Sequence, residues 1–326
     1  MLAALLASPG AARAEDTVVV GALPLSSSAP LFLAEDLGFF QQEGIRADLR
    51  LSRSAAAIAV GVAAGDYDVG ATGITAALFN IMMGEAKLKI VADKGRLQPG
   101  YHFESIVVSP AAHARGVRSL KDLKGASFGM TTLGSTFHYM LGNLAQQQGL
   151  SLADFQLKPL RGLPNMVSAL STGQVDFAIF PEPAGSQAMA KGGGVLLEWV
   201  DDKLPYQIAA VFYGGRLLEN KDLGLRFMKA YVRGTRAYVD TMLRGPEESP
   251  AFQRGAASVA KWTQQPLHGR RGLIAMDRNG QLLAEDIDRQ VGWYAVNGFV
   301  PAAAVGETRQ MLDLSFQAAA VQQLGP

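Results

Sequence analysis

Through the first two thirds of the chain, short β-branched runs alternate with stretches whose apolar residues recur at helical spacing. That alternation predicts βαβ units and a mostly parallel sheet. The expected strands begin with Thr17–Leu23, Arg46–Leu51, Val69–Ala71, Leu88–Ala92 and Glu104–Ser109, and helices are expected over Leu31–Gln42, Ala55–Ala64 and Ala76–Met83. A second series follows, with strands Ala126–Met130, Phe155–Pro159, Phe177–Phe180, Val195–Trp199 and Tyr206–Tyr213. Its helices are Phe137–Gln148, Met166–Thr172 and Ser186–Lys191. The last third reads as mainly helical. Met228, Tyr231, Val232, Thr235, Val239 and Met242 share one face of a helix over Asp222–Leu243. Arg244–Pro250 reads as a loop and Leu283–Asn297 as another helix, and these C-terminal helices are expected to pack on the first series.

One strand–loop–helix unit occurs twice. Thr17–Leu23 leads into Ser26-Ser27-Ser28-Ala29-Pro30 and a helical stretch closed by Gly44. Ala126–Met130 leads into Thr131-Thr132-Leu133-Gly134-Ser135-Thr136 and a helical stretch closed by Gly149. At nearly the same offset, Gly65-Asp66-Tyr67-Asp68-Val69-Gly70 is answered by Gly173-Gln174-Val175-Asp176-Phe177-Ala178. Two similar lobes with a polar loop at a helix N-terminus in each suggest a cleft that closes on a small ligand. The chain would cross between lobes twice, with a hinge near Glu104–Pro110 and Leu204–Tyr213. Helix N-termini present unpaired N–H groups and partial positive charge, and ligands of open α/β sheets sit beyond the carboxyl ends of the strands. The loops Ser26–Ser28, Thr72-Gly73-Ile74-Thr75 and Gly134-Ser135-Thr136 occupy such positions. Hydroxyls there commonly only cap helices; three matching loops in two lobes point to ligand binding.

Composition narrows the class. The 326 residues suffice for two lobes with their own cores, and 48% hydrophobic and 18% charged residues describe an ordinary globular chain. A net charge of +1 with scattered Lys and Arg argues against nucleic acid as partner. The absence of cysteine excludes disulfides, thiolate metal sites and a thiol nucleophile. Leu2–Ala7 with Ala12-Arg13-Ala14 reads as a secretory signal over residues 1–14 that lacks its positive n-region, so the signal is truncated or the true start lies upstream.

Catalytic and metal motifs do not survive inspection. Gly125-Ala126-Ser127-Phe128-Gly129 spells a nucleophile elbow, but here the strand follows the serine instead of preceding it, so Ser127 is expected to be a strand residue. His102, His113, His138 and His268 show no metal-ligand spacing, and His113 and His268 read as structural or surface residues. Asp68 and Asp176 are expected to serve the turns into their strands.

At Leu31–Gly44, Gly65–Gly73, Val117–Gly125, Gly134–Tyr139, Gly173–Pro183 and Gln290–Gly298, in that order, the chain resembles the periplasmic solute-binding proteins of ABC importers. The group is the nitrate/sulfonate/taurine and thiamine-pyrimidine-precursor one. The resemblance implies an α/β, two-lobed periplasmic-binding-protein fold (type II), with two mixed sheets flanked by helices and a hinge between lobes. Lobe I would comprise residues 15–107 and 206–326, and lobe II residues 108–205. It also implies a non-enzymatic, periplasmic, monomeric protein without a cofactor, which hands a small organic anion to an ABC permease and its ATPase. Ligand contacts are expected from Ser27, Ser28, Thr72, Gly73, Ile74, Tyr101, Thr132, Gly134, Ser135, Thr136, Phe137, Pro181, Glu182 and Pro183. Lys94, Arg96, Tyr101 and His102 lie near the hinge and could meet an anion, although Lys94 and Arg96 could equally face solvent. The Gly-Ser-Thr-Phe-His-Tyr stretch is most similar to sulfonate binders, which makes sulfonate the first head group and a carboxylate or aromatic acid the second. Phe137 stands where the family often has a small residue and leaves room for a bulkier ligand. A neutral pyrimidine ligand and a sensory module without transporter are the alternatives.

Overall fold

Two five-stranded sheets carry the chain in the computed structural model, which describes residues 15–52, 54–267 and 269–326. The expected signal segment and His268 lie outside the described residues. Strands β1 (Asp16–Ala22), β2 (Ile45–Leu51), β3 (Val69–Gly73) and β4 (Leu88–Leu97) belong to the first sheet. The chain then builds the second sheet from β5 (Glu104–Val108), β6 (Ser127–Met130), β7 (Gln156–Pro159), β8 (Phe177–Pro181) and β9 (Val195–Trp199). It returns with β10 (Tyr206–Gly214). The orders are β2-β1-β3-β10-β4 and β7-β6-β8-β5-β9. Both sheets are mixed: β1–β3 and β6–β8 run parallel within their groups, and β10 and β5 are antiparallel to their neighbours.

The sequence repeat has a structural meaning. β2-β1-β3 and β7-β6-β8 are the same arrangement, and the matched aspartates do the same work in each. Asp68 accepts the Val19 N–H at 2.8 Å, and Asp176 accepts the Ser127 N–H at 2.8 Å. Each ties the turn entering one parallel strand to the backbone of its neighbour, at mid-strand in β1 and at the first residue of β6. Ser127 Oγ also donates to Asp176 at 2.7 Å, so this hydroxyl holds a strand edge.

The strand β10 is buried along its whole length, as its unbroken apolar run requires of a central strand. Close packing on it explains Gly70, whose added Cβ would stand 2.1 Å from the Phe212 ring in the adjacent strand. Gly70→Ala is therefore expected to destabilise the protein by about 1–3 kcal/mol, read as a lower denaturant midpoint. An unchanged midpoint would contradict this packing.

Helix boundaries match the expectation over Ala55–Ala64 and Ala76–Met83. Elsewhere they shift for local reasons. The stretch expected as one helix over Leu31–Gln42 breaks into Ala29–Asp36 and Phe39–Gln42, because Gly38 adopts φ +70° between them. The loop after Arg244 ends at Ser249, which caps an unexpected helix Pro250–Thr263. Its signal was present: serine as cap followed by proline at the first helical position. The sheet-to-sheet connections are residues 98–103 and 200–205. The first precedes the expected segment Glu104–Pro110 and the second overlaps Leu204–Tyr213 only at Leu204 and Pro205, because Glu104–Val108 and Tyr206–Gly214 are paired in ladders.

The C-terminal helices do not all stay with the first sheet. Lys221–Ala237 lies on it, with Tyr231 donating to the Asp93 carbonyl at 2.7 Å. The helix Ala284–Val296 instead bridges both lobes. Tyr294 Oη lies 3.4 Å from the Ile74 carbonyl and 3.2 Å from that of Ser135. Trp293 meets Tyr139 edge-on at 5.2 Å. Further bonds join the lobes directly, from Ala76 N–H to the Gly134 carbonyl (2.9 Å) and from Ser26 N–H to the Glu182 carbonyl (3.5 Å). The lobes are in contact: this is a closed form.

Candidate functional site

Helix N-termini from both lobes converge on a cleft enclosing roughly 620 Å³, its open mouth included. The first lobe contributes Ser27 from the turn Ser26–Ser28, and Ser54 with Ala55 and Ala56 at the start of Ala55–Ala64. It also contributes Gly73 and Thr75 ahead of Ala76–Met83. The second lobe contributes Thr131, Thr132, Ser135, Thr136 and Phe137 at the start of the helix Thr136–Gln147, together with Pro181. Leu23, Leu25, Phe103, Leu163 and Ile208 add apolar wall.

Two of these N-termini are partly occupied by the protein itself. Ser54 Oγ accepts the Ala57 N–H, and Thr75 Oγ1 accepts the Leu78 N–H, each at 3.3 Å. The N-terminus of Thr136–Gln147 differs: no side chain caps it. Ser135 Oγ is buried there without a hydrogen-bond partner among the described residues. A buried hydroxyl left unpaired is costly, so this end is arranged for a group the protein does not supply.

Lys94 is the central charge. It is 1% exposed, and its Nζ donates to Ser27 Oγ at 3.0 Å. Burial pushes its ammonium down to about 7, against the pull of the neighbouring Asp93. Asp93 does not neutralise the cleft, because its own carboxylate is engaged elsewhere. It accepts from Gly95 N–H and Gln207 Nε2 (both 2.6 Å), Asp277 N–H (2.8 Å) and Arg96 (3.0 Å). Glu104, 2% exposed, also lines the cleft. Desolvation, Asp201 and Glu182 hold its carboxyl well above the usual range. Lys94 and the helix N-termini favour an anion in the cleft.

Of the residues expected at the site, Ser27, Gly73, Thr132, Ser135, Thr136, Phe137 and Pro181 line this cleft. Seven others do not. Ser28 Oγ donates to the Leu23 carbonyl at 2.8 Å, shaping the loop. Thr72 is paired with Ala210 in the ladder, its buried Oγ1 without a partner. Ile74 is core. Gly134 takes φ +70° and gives its N–H to His138 Nδ1 at 3.1 Å. Tyr101 packs half-buried against the core. Glu182 and Pro183 line a separate cavity with Ser186 and Arg271. Arg96 is bound to Asp93 and to the Gln281 carbonyl, and His102 stacks on Trp199 at 5.0 Å, so neither reaches the cleft. Ser54, Thr75, Lys94, Glu104 and Thr131 were absent from the expected set. Lys94 was left between ligand and solvent, and its burial decides for the cleft. The usable signal was a lysine inside an apolar strand run, Ile90-Val91-Ala92-Asp93-Lys94.

Two mixed α/β sheets joined by two crossings, with a cleft between lobes, define a periplasmic-binding-protein fold of type II. The sequence pattern of the NMT1-like family matches residues 11–239, and the chain belongs to that family. Solved structures support the fold. The periplasmic nitrate-binding protein NrtA from Synechocystis PCC 6803 superposes with TM-score 0.76 at 13% identity, over 96% of this chain and 89% of that one. The periplasmic aliphatic sulphonate binding protein SsuA from Escherichia coli gives 0.69 at 18%, over 95% and 100%. The alkanesulfonate-binding protein SsuA from Xanthomonas axonopodis pv. citri, bound to MOPS, gives 0.64 at 18%, over 95% and 99%. No curated protein sequence matches the chain. Among the described residues no helix is long and apolar enough to cross a membrane.

Proposed function

We propose that this protein is the periplasmic solute-binding component of an ABC import system. In this reading it captures a small organic anion, sulfonate first and carboxylate or aromatic acid next, and presents it to a permease driven by an ATPase. The observation that carries the reading is Lys94, a buried ammonium whose Nζ donates to Ser27 Oγ and to no other group among the described residues. It stands in a cleft where the unpaired Ser135 hydroxyl faces an uncapped helix N-terminus. An anion completes that set: it supplies a charge partner for the ammonium on the cleft side and the missing acceptor for Ser135 at once. The apolar wall of Phe103, Phe137, Leu163 and Ile208 accommodates an organic tail and offers nothing to a bare inorganic ion. The Xanthomonas relative holds MOPS, a sulfonate with a bulky end, which fits the same division of head and tail.

The mechanism follows from differential affinity. The hydroxyls of Ser27 and Ser135 belong to opposite lobes, so a ligand engaging both favours the closed form over the open one. No catalytic step is assigned. Ser27→Ala combined with Ser135→Ala is expected to weaken binding at least about tenfold, as two hydrogen bonds to a charged group are lost. Calorimetry with an alkanesulfonate and its carboxylate counterpart reads this, with circular dichroism to confirm folding. Parent-like affinity in a folded double variant would remove these hydroxyls from the site.

A further inference from the structure

The pairing of β4 with β10 is irregular beside the cleft. Tyr206↔Leu97 and Gln207↔Arg96 are in register, and so are Ala210↔Asp93 and Val211↔Ala92. Between them the pairing shifts to Ala209↔Gly95, which leaves Ile208 and Lys94 without a partner in this ladder. Both of these residues line the cleft. A local break in a ladder re-aims a side chain next to a functional site, and here the side chain is that of Lys94, whose Nζ reaches Ser27. Gln207 stands at the break. It is fully buried, and it is the one amide side chain of the largely apolar strand β10. Its Nε2 donates towards the Ala209 carbonyl at 2.8 Å, the Gly95 carbonyl at 3.0 Å and Asp93 Oδ1 at 2.6 Å. Those acceptors are one carbonyl from each member of the shifted pair and the carboxylate next to Lys94. The lobe-bridging helix Ala284–Val296 and the residue before it hold Gln207 in turn. Oε1 accepts from Leu283 N–H at 3.1 Å, the Gln207 N–H donates to Asp286 Oδ2 at 2.8 Å, and its carbonyl accepts from Gln290 Nε2 at 2.8 Å. A buried amide is costly unless paired, and every polar group of this one is paired.

We propose that Gln207 is a positioning residue for the anion: its amide holds the break in the ladder that aims Lys94 into the cleft, and keeps the Asp93 carboxylate engaged away from the ammonium. The inference rests on the anion reading above and adds what orients its central charge. Asp93 is the charged neighbour of Lys94. Released from Nε2, its carboxylate would compete with the ligand for the ammonium. Gly95 serves the same break. It takes φ +142°, and an added Cβ there would stand 2.6 Å from the Ile274 side chain.

Gln207→Met keeps the length and bulk of the side chain and removes its donor and acceptor. Calorimetry with propanesulfonate and butanoate compares the parent, Gln207→Met, Lys94→Met and the double variant, each as the full chain. Gln207→Met is expected to weaken anion binding at least about tenfold in the parent and less than about twofold where Lys94 is already methionine. It is also expected to flatten the fall in affinity above about pH 7 that the Lys94 ammonium gives the parent. A residue that only supports the cleft would instead cost the same in both backgrounds and lower the pH profile in parallel. Either of those results, or parent-like affinity in folded Gln207→Met, overturns the role of Gln207 and leaves the anion reading standing. Parent-like binding by Lys94→Met, or binding of neither anion by the parent, overturns both. Should Gln207→Met fail to fold, Gly95→Ala disturbs the same break without touching the amide, and the same comparison with Lys94→Met decides.

Discussion

Replacing Lys94 by methionine is expected to weaken anion binding by about 100-fold at pH 7 while leaving the fold intact. Removing one member of a desolvated charge pair costs on the order of 2–5 kcal/mol, and the methionine fills nearly the same volume. The free protein should even gain stability. Burial holds the Lys94 ammonium down to about 7, against an ordinary value of 10.5. Between those values the unfolded chain binds the extra proton, so stability of the ligand-free protein rises with pH across that window. Below about pH 7 the buried charge exerts its full penalty, which methionine abolishes. Thermal denaturation at pH 6 should therefore show a higher midpoint for Lys94→Met than for the parent. Ligand binding has the opposite sign. An anion beside Nζ raises the lysine's affinity for its proton, so the anion affinity is fully present below about pH 7. It then declines above that by up to about tenfold per unit. Calorimetry between pH 6 and 9 measures the slope. A pH-independent affinity, or parent-like binding by the methionine variant, would dismiss Lys94 as the anion's partner.

The same residue shows where reading the sequence stops. Local patterns specified what local physics decides: the bounds of Ala55–Ala64 and Val195–Trp199, and the paired turns at Asp68 and Asp176. Half of the expected site residues line the cleft because serines and threonines before helices are visible one position at a time. Lys94 and Glu104 are not of that kind. What buries Lys94 is the pairing of β4 with β10 and the capture of Asp93 by Gln207 and Asp277, residues more than a hundred positions away. Glu104 stands in the sequence as the first residue of an expected strand, and only the tertiary packing buries it beside Asp201 and Glu182. Thr72 and Ile74 show the converse. Their loop was correctly placed beside the cleft, but Thr75 and Gly73 are the members that line it. A hydroxyl-rich motif marks the neighbourhood of a site, and strand alternation with the helix cap then decides which member faces it.

Gly134→Ala is expected to weaken ligand binding by about tenfold or more and to leave the liganded protein more open. Two separate costs arise. The first is backbone strain: Gly134 has φ +70°, and a side chain there costs about 1–2 kcal/mol in the open and closed forms alike. That cost lowers folding stability and leaves the lobe equilibrium untouched. The second exists only when the lobes meet, because the new Cβ would stand 2.8 Å from Ala76 Cβ of the opposite lobe. The clash also strains the bond from Ala76 N–H to the Gly134 carbonyl (2.9 Å). A ligand held by both lobes binds in proportion to the closed fraction, so the contact penalty appears directly in the affinity. Gly125→Ala separates the two costs. Gly125 has φ +81° and nothing within 4 Å of its added Cβ, so it should lose stability and keep affinity. Solution scattering of both variants at saturating ligand, beside calorimetry, makes the comparison. Equal affinity losses in the two would mean that closure does not depend on this contact; a loss confined to Gly134→Ala would locate the closing surface at Ala76 and Gly134.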